Sequence, residues 1–140
     1  MDLTQKQVKE INMAGKKYNL LLVLVFGSQI TGKINQESDL DIAVLDAEQE
    51  NYKRFGKLYL AFSDIFKNYS IDLRFIKNSE PVFLYQVFKN SQLLYGDTQL
   101  YYNYKAFAYK RYVDSKPLFD LKEKILSKNQ KELNKIKIKI

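Results

Sequence analysis

Phe26-Gly27-Ser28-Gln29-Ile30-Thr31-Gly32-Lys33-Ile34-Asn35-Gln36-Glu37-Ser38-Asp39-Leu40-Asp41-Ile42-Ala43-Val44-Leu45 is the stretch that decides the fold. An apolar run, Leu20 to Phe26, stops at a Gly-Ser pair. A polar loop follows, and a second apolar run then carries carboxylates at Asp39 and Asp41. Side chains alternate faces along a strand, so Asp39 and Asp41 are expected to point the same way. Two carboxylates on one face, beside a Gly-Ser turn, suit a hard divalent cation such as Mg²⁺ and a nucleoside triphosphate.

Outward from this stretch the pattern alternates helix and strand. Residues 4–18 read as a helix, with Thr4 as its cap and Val8, Ile11, Ala14 and Tyr18 along one face. Residues 20–26 form a first strand, buried on both faces because its apolarity is unbroken. Ser28 opens a short helix or turn that Gly32 ends. Residues 39–45 form a second strand. Residues 49–68 are a strongly amphipathic helix, with Tyr52, Phe55, Leu58, Tyr59, Phe62, Ile65, Phe66 and Tyr69 at helical spacing. Asp46, Glu48 and Glu50 are expected to mark a loop and the acidic first turn of that helix.

Ile71 to Ile76 is a third strand, and Pro81 starts a helix over roughly 81–91. Gln92 to Tyr95 reads as a short extended piece before a Gly96-Asp97 turn. A tyrosine-rich helix then runs from about Thr98 to Ser115, is interrupted by Pro117, and restarts to Lys128 or beyond. The ending, Lys135 to Ile140, alternates Lys and Ile and fits an added strand, a fraying helix end or an ordered tail. The order α–β–α–β–α–β followed by helices predicts an α+β fold, a small mixed sheet with flanking helices. One domain is expected over 1–140: a core over about 1–96, C-terminal helices over about 97–130 and a basic tail over 131–140.

Composition narrows the chemistry. The chain of 140 residues is 46% hydrophobic, enough for one core of ordinary size. It has no cysteine and no histidine, which excludes disulfides, zinc held by thiolate or imidazole, and Ser-His-Asp or Cys-His catalysis. No run approaches the roughly 20 apolar residues of a membrane span, and the polar N-terminus lacks a signal-peptide core. A cytoplasmic protein with no membrane partner is therefore expected. The net charge of +7 favours anionic partners, although part of the surplus lies between Lys128 and Lys139 and fits a solvated exterior equally well.

Carboxylates, hydroxyls, lysines, arginines and a hard metal remain to do any chemistry. Nucleotidyl transfer needs in-line attack on an α-phosphate, and two Mg²⁺ ions about 3.5–4 Å apart can stabilise the entering and leaving oxygens. Asp39 and Asp41 can bridge such ions from one strand. Asp72, between Ile71 and Leu73, is an acid that calls for a partner; a metal or the nearby Arg74 would serve. Gly27 lets backbone approach phosphates, and Ser28 offers a hydroxyl where a helix begins. Lys33 can contact phosphate or point to solvent.

Together, Gly27-Ser28 and Asp39-x-Asp41 at this spacing resemble the polymerase-β-like nucleotidyltransferase superfamily, and within it the minimal, MNT-type nucleotidyltransferases. The tail around Tyr104-Lys-Ala-Phe-Ala-Tyr-Lys-Arg-Tyr-Val-Asp-Ser-Lys-Pro117 is similar to the C-terminal helices of MntA-type antitoxins from HEPN/MNT toxin–antitoxin pairs. The resemblance implies a nucleotidyltransferase fold, Mg²⁺ and ATP, and transfer of AMP to a tyrosine hydroxyl of a HEPN ribonuclease. It places the paired metal aspartates on Asp39 and Asp41, the third, catalytic acid on Asp72, and the phosphate-binding pair on Gly27 and Ser28. Gln29 departs from the pattern, standing where many relatives carry arginine.

Other readings remain open on the residues alone. The protein could neutralise its partner by binding, with little or no catalysis, or modify a small molecule. Tyr101, Tyr102, Tyr104, Tyr109 and Tyr112 could form core or a partner-binding face. Aromatics among lysines also suit RNA stacking, which ranks third because no RNA-recognition motif accompanies them.

Overall fold

The computed structural model describes residues 1–27 and 39–138. In chain order they form α1 (Gln5–Lys17), β1 (Leu20–Phe26), β2 (Leu40–Asp46), α2 (Tyr52–Ile65), β3 (Ile71–Phe75), α3 (Pro81–Lys89), β4 (Ser91–Gly96) and α4 (Thr98–Ile138). The expected turn at Ser28–Gly32 and Lys33 lie outside the described residues. The strands make one mixed sheet in the order β3-β2-β1-β4. β1 pairs antiparallel with β2 and β4, whereas β2 and β3 run parallel. A parallel pair needs a long crossover, which α2 provides.

Alternation along the strands sorts the side chains into two layers. Val23 and Val25 of β1 and Ile42 and Val44 of β2 pack on one face against Ile11 of α1 and Leu58 and Phe62 of α2. Leu22, Leu24, Ala43 and Leu45 pack on the other face against Leu84, Val87 and Phe88 of α3 and Tyr101 and Ala108 of α4. This is why β1 reads as an unbroken apolar run: both of its faces are covered. Fully burying one side chain of the size of Phe62 contributes about 1.5–3 kcal/mol.

The local signals at α1 act as expected. The Gln7 N–H donates to Thr4 Oγ1 at 3.1 Å, and the Thr4 N–H donates to Gln7 Oε1 at 3.0 Å, a reciprocal capping box. The chain leaves α1 through Asn19, whose φ of 54° lies in the left-handed region that Asn tolerates.

Four expectations need correction. First, the short extended piece expected at Gln92 to Tyr95 is extended but belongs to the sheet: β4 spans Ser91–Gly96 and pairs with β1 as an edge strand. Second, β2 starts at Leu40, which leaves Asp39 just ahead of the strand. Third, Pro117 does not interrupt the last helix, which runs unbroken for 41 residues. Proline removes one N–H and crowds the carbonyl of Val113, four residues earlier. Val113 is exposed, so water can satisfy that carbonyl and the helix continues. The same helix carries the Lys-Ile alternation as far as Ile138.

Fourth, Asp46, Glu48 and Glu50 do not make an acidic first turn. α2 begins after its cap Asn51 and has no acid in its first turn. Asp46 instead ends β2 completely buried. Arg54, in the first turn of α2, holds it with a two-pronged grip: its Nε donates to Asp46 Oδ2, and its Nη2 donates to Asp46 Oδ1 at 2.8 Å. Nη2 also donates to the carbonyl of Tyr18 at the end of α1, and Nη1 reaches Glu48 Oε2 at 2.7 Å. One guanidinium thus ties α1, β2 and α2 together. Hydrogen bonds to Asp46 raise the Arg54 pKa further, so it stays charged.

Removing one member of a buried pair strands the other charge, a loss of about 3–5 kcal/mol. Arg54→Ala should therefore unfold at markedly lower urea, by roughly that amount, while Arg74→Ala on the exposed face of β3 should shift the midpoint by less than about 1 kcal/mol.

Candidate active site

The site grows from the register of β2 against β3. Asp41 pairs with Asp72, Ile42 with Leu73 and Ala43 with Arg74. Ile42 and Leu73 point into the core on the α1/α2 side. Strand alternation then puts Asp41, Asp72 and Arg74 together on the opposite face, beside α3. Arg74 confirms that placement, because its guanidinium lies 5.9 Å from the ring centre of Phe83 in α3. Phe83 in turn meets Phe26 edge-on, with ring centres 6.3 Å apart. The carboxylates therefore sit at one end of the sheet, above an aromatic floor made by β1 and α3.

Gly27 lies directly against this pair. Phe26 faces Asp41 across the β1–β2 ladder, and Gly27 follows with φ of 80°. A Cβ at residue 27 would come within 2.7 Å of Asp41 Oδ2. Both the backbone conformation and the closeness of the carboxylate call for glycine here. The Gly27 N–H donates to the Asn90 carbonyl at 3.3 Å, which fixes the end of β1 between β2 and the start of β4.

The acids repel one another. The Asp41 pKa is raised, first by burial and then by the charges of Asp72 and Asp39, while Arg74 pulls the other way. Arg74 Nε donates to Asp72 Oδ1 at 3.1 Å, between side chains that are 56% and 39% exposed. Such an open pair contributes little stability, so it does not lock Asp72 away from other partners. Three acids with one arginine nearby form an electron-rich oxygen donor set that fits a hard divalent cation. Among the described residues, however, no three acidic side chains are arranged as a ready-made cage.

Of the five residues singled out in the sequence, the structure brings Gly27, Asp41 and Asp72 together, and Asp39 stands one residue before β2, close enough for its charge to act on Asp41. Ser28 lies outside the described residues. Sequence reasoning passed over Phe26, Phe83 and the Arg54–Asp46 clamp at the far end of β2. Phe83 carries no signal beyond its place two residues after Pro81.

The strain on Asp41 has a measurable sign. A carboxylate with a raised folded-state pKa costs stability above that pKa, and the cost vanishes when acid protonates it in both states. Asp41→Asn should raise the urea midpoint at pH 7, by no more than about 1 kcal/mol because the site is open to solvent. That gain should fade as the pH falls through the raised Asp41 pKa toward the ordinary aspartate value of 3.8, and be absent below it.

Comparison with known proteins supplies the context. No curated protein sequence matches the chain. The solved structures that share its fold include two of particular note. One is described as a toxin–antitoxin with AMP-PNP: 22% identity, TM-score 0.66, covering 81% of this chain and 95% of that one. The other is described as a tri-AMPylated Shewanella oneidensis HEPN toxin in complex with an MNT antitoxin: 20% identity, TM-score 0.63, covering 84% and 97%. At that identity the likeness speaks for the fold. Residues 8–100 match the family described as polymerase beta, nucleotidyltransferase, and that stretch holds all four strands, Gly27 and the three acids. The chain belongs to the polymerase-β nucleotidyltransferase family.

Proposed function

We propose that the protein transfers AMP from ATP to a tyrosine hydroxyl of a HEPN-type ribonuclease toxin and thereby acts as its antitoxin in the cytoplasm. The observation that carries this reading is the Asp41–Asp72 register beside Gly27, within a nucleotidyltransferase-family domain. The fold shared with an MNT antitoxin in complex with a tri-AMPylated toxin supports the choice of acceptor.

Each residue has a role under this reading. Asp39 and Asp41 would hold Mg²⁺, with Asp72 completing the set. Bound magnesium supplies positive charge to the triphosphate and to the oxygens that gain negative charge during transfer. Gly27, lacking a Cβ, leaves room for phosphate oxygens beside Asp41. Ser28 would add a hydroxyl donor to those oxygens. The acceptor oxygen attacks the α-phosphorus, a new P–O bond forms, and the bond to the β-phosphate oxygen breaks to release pyrophosphate. Asp72 takes the hydroxyl proton, which requires it to leave Arg74; the exposure of that pair makes the exchange cheap. Arg74 is then free to face the departing anion.

Incubation with the HEPN partner, labelled ATP and Mg²⁺ should add AMP to the partner, and EDTA should abolish the addition. Asp41→Asn and Asp72→Asn should each cut the rate by at least about 10²-fold, the scale of losing one group that stabilises transition-state charge. Gly27→Ala should do the same, because its methyl would occupy the space beside Asp41 Oδ2. An Asp39→Asn/Asp41→Asn protein that modifies nothing yet still silences the toxin would establish binding, and not transfer, as the means of neutralisation.

A further inference from the structure

α4 outruns the body of the protein. Its first half packs on α3: Tyr101 and Ala108 join the core, Tyr104 stacks on Phe88 at 5.8 Å, and Tyr112 stacks on Tyr85 at 4.1 Å. From Lys116 to Lys135 every side chain that the structure describes is exposed. At about 1.5 Å per residue, those twenty positions extend roughly 30 Å. The family match ends at residue 100, so this half of the helix is an appendage to the nucleotidyltransferase domain.

The appendage is not a plain solvated helix. Leu118, Leu121, Ile125, Leu126 and Leu133 are between 51% and 68% exposed. Their spacing of i, i+3, i+7, i+8 and i+15 gathers them on one side at 100° per residue, an arc that also holds Lys122 and Glu132. A row of bare apolar side chains carries a cost that only a covering surface removes. Lys124, Lys128, Lys131 and Lys135, spaced 4, 3 and 4, form a second row along one margin of that stripe. From Lys116 to Lys139 there are eight lysines against three acids, Asp120, Glu123 and Glu132.

This pairing of rows selects the occupant. An antiparallel second copy would bring a like-charged lysine row alongside the first and be repelled, and a parallel one would leave both lysine rows without an anionic partner. Nucleic acid satisfies lysines but leaves the leucines bare. A helix that brings its own apolar seam, flanked by Asp and Glu, satisfies both rows together. We propose that the outer half of α4 is a docking arm for an acidic amphipathic helix of a partner protein. The proposal stands apart from the transfer activity, since it uses no residue of the site.

The probe is a labelled synthetic peptide of about 28 residues, four heptads with Leu at the a and d positions and Glu at e and g. Fluorescence anisotropy should show saturable binding that weakens with salt. Leu121→Asp/Ile125→Asp should weaken it at least about tenfold. Lys124→Glu/Lys128→Glu/Lys131→Glu should lose the acidic peptide and gain the version with Lys at e and g. These side chains lie outside the core, so both variants should melt with the parent protein, and the charge swap reads out binding even if the double aspartate variant does not. Equal binding of the acidic and lysine peptides by the parent overturns the proposal. So does a parent dimer that Leu121→Asp/Ile125→Asp dissolves. Tighter binding of uridine-rich RNA, or of anionic phospholipid vesicles, through the same residues also overturns it.

Discussion

Everything at the site hangs on the parallel register between β2 and β3. Side chains alternate with a period of two, so a slip of one residue would turn Asp72 into the α1/α2 core and Leu73 toward the site. The slip is forbidden because Ile71 and Leu73 are needed where they are, packed beneath Leu40 and Ile42 against Phe62 and Phe66. Apolar packing on one face of the sheet thereby sets the spacing of carboxylates on the other. No contact between the acids themselves could do this, since they repel.

The opposite end of β2 is fixed by a different means. There Arg54 binds Asp46 and the Tyr18 carbonyl at the end of α1, so the crossover helix is pinned where it leaves the strand. The two ends of β2 thus meet charge in opposite ways. At Asp46 a buried acid is matched by a cation of the protein. At Asp41 a crowded acid is left short of one. The contrast marks Asp46 as structural and Asp41 as a functional-site candidate.

Much of this was legible in the chain. The Gly-Ser and Asp-x-Asp spacing, set between two apolar runs, located the end of β1 and the start of β2, and the isolated acid in Ile71–Phe75 could be matched to them. Other features were not legible for identifiable reasons. Asp46 looked like one of three loop acids because its partner Arg54 lies eight residues on, across a turn that local patterns do not encode. The place of β4 in the sheet was hidden, though its extended conformation was not, because its residues are only partly buried and lack the alternation of a half-buried strand. Pro117 misled because its cost depends on whether water reaches Val113, a question of tertiary exposure.

The sheet order carries one more implication. Among the described residues β3 is an outer strand, with no neighbour on its far side. Bare strand edges invite pairing between molecules, and natural proteins deter it with charge. On this strand the deterrents are Asp72 and Arg74, the same two side chains to which the proposed mechanism assigns the proton and the leaving group. Solubility and reactivity thus draw on a single pair of groups, and evolution cannot freely neutralise one without giving up some protection against fibrous self-assembly.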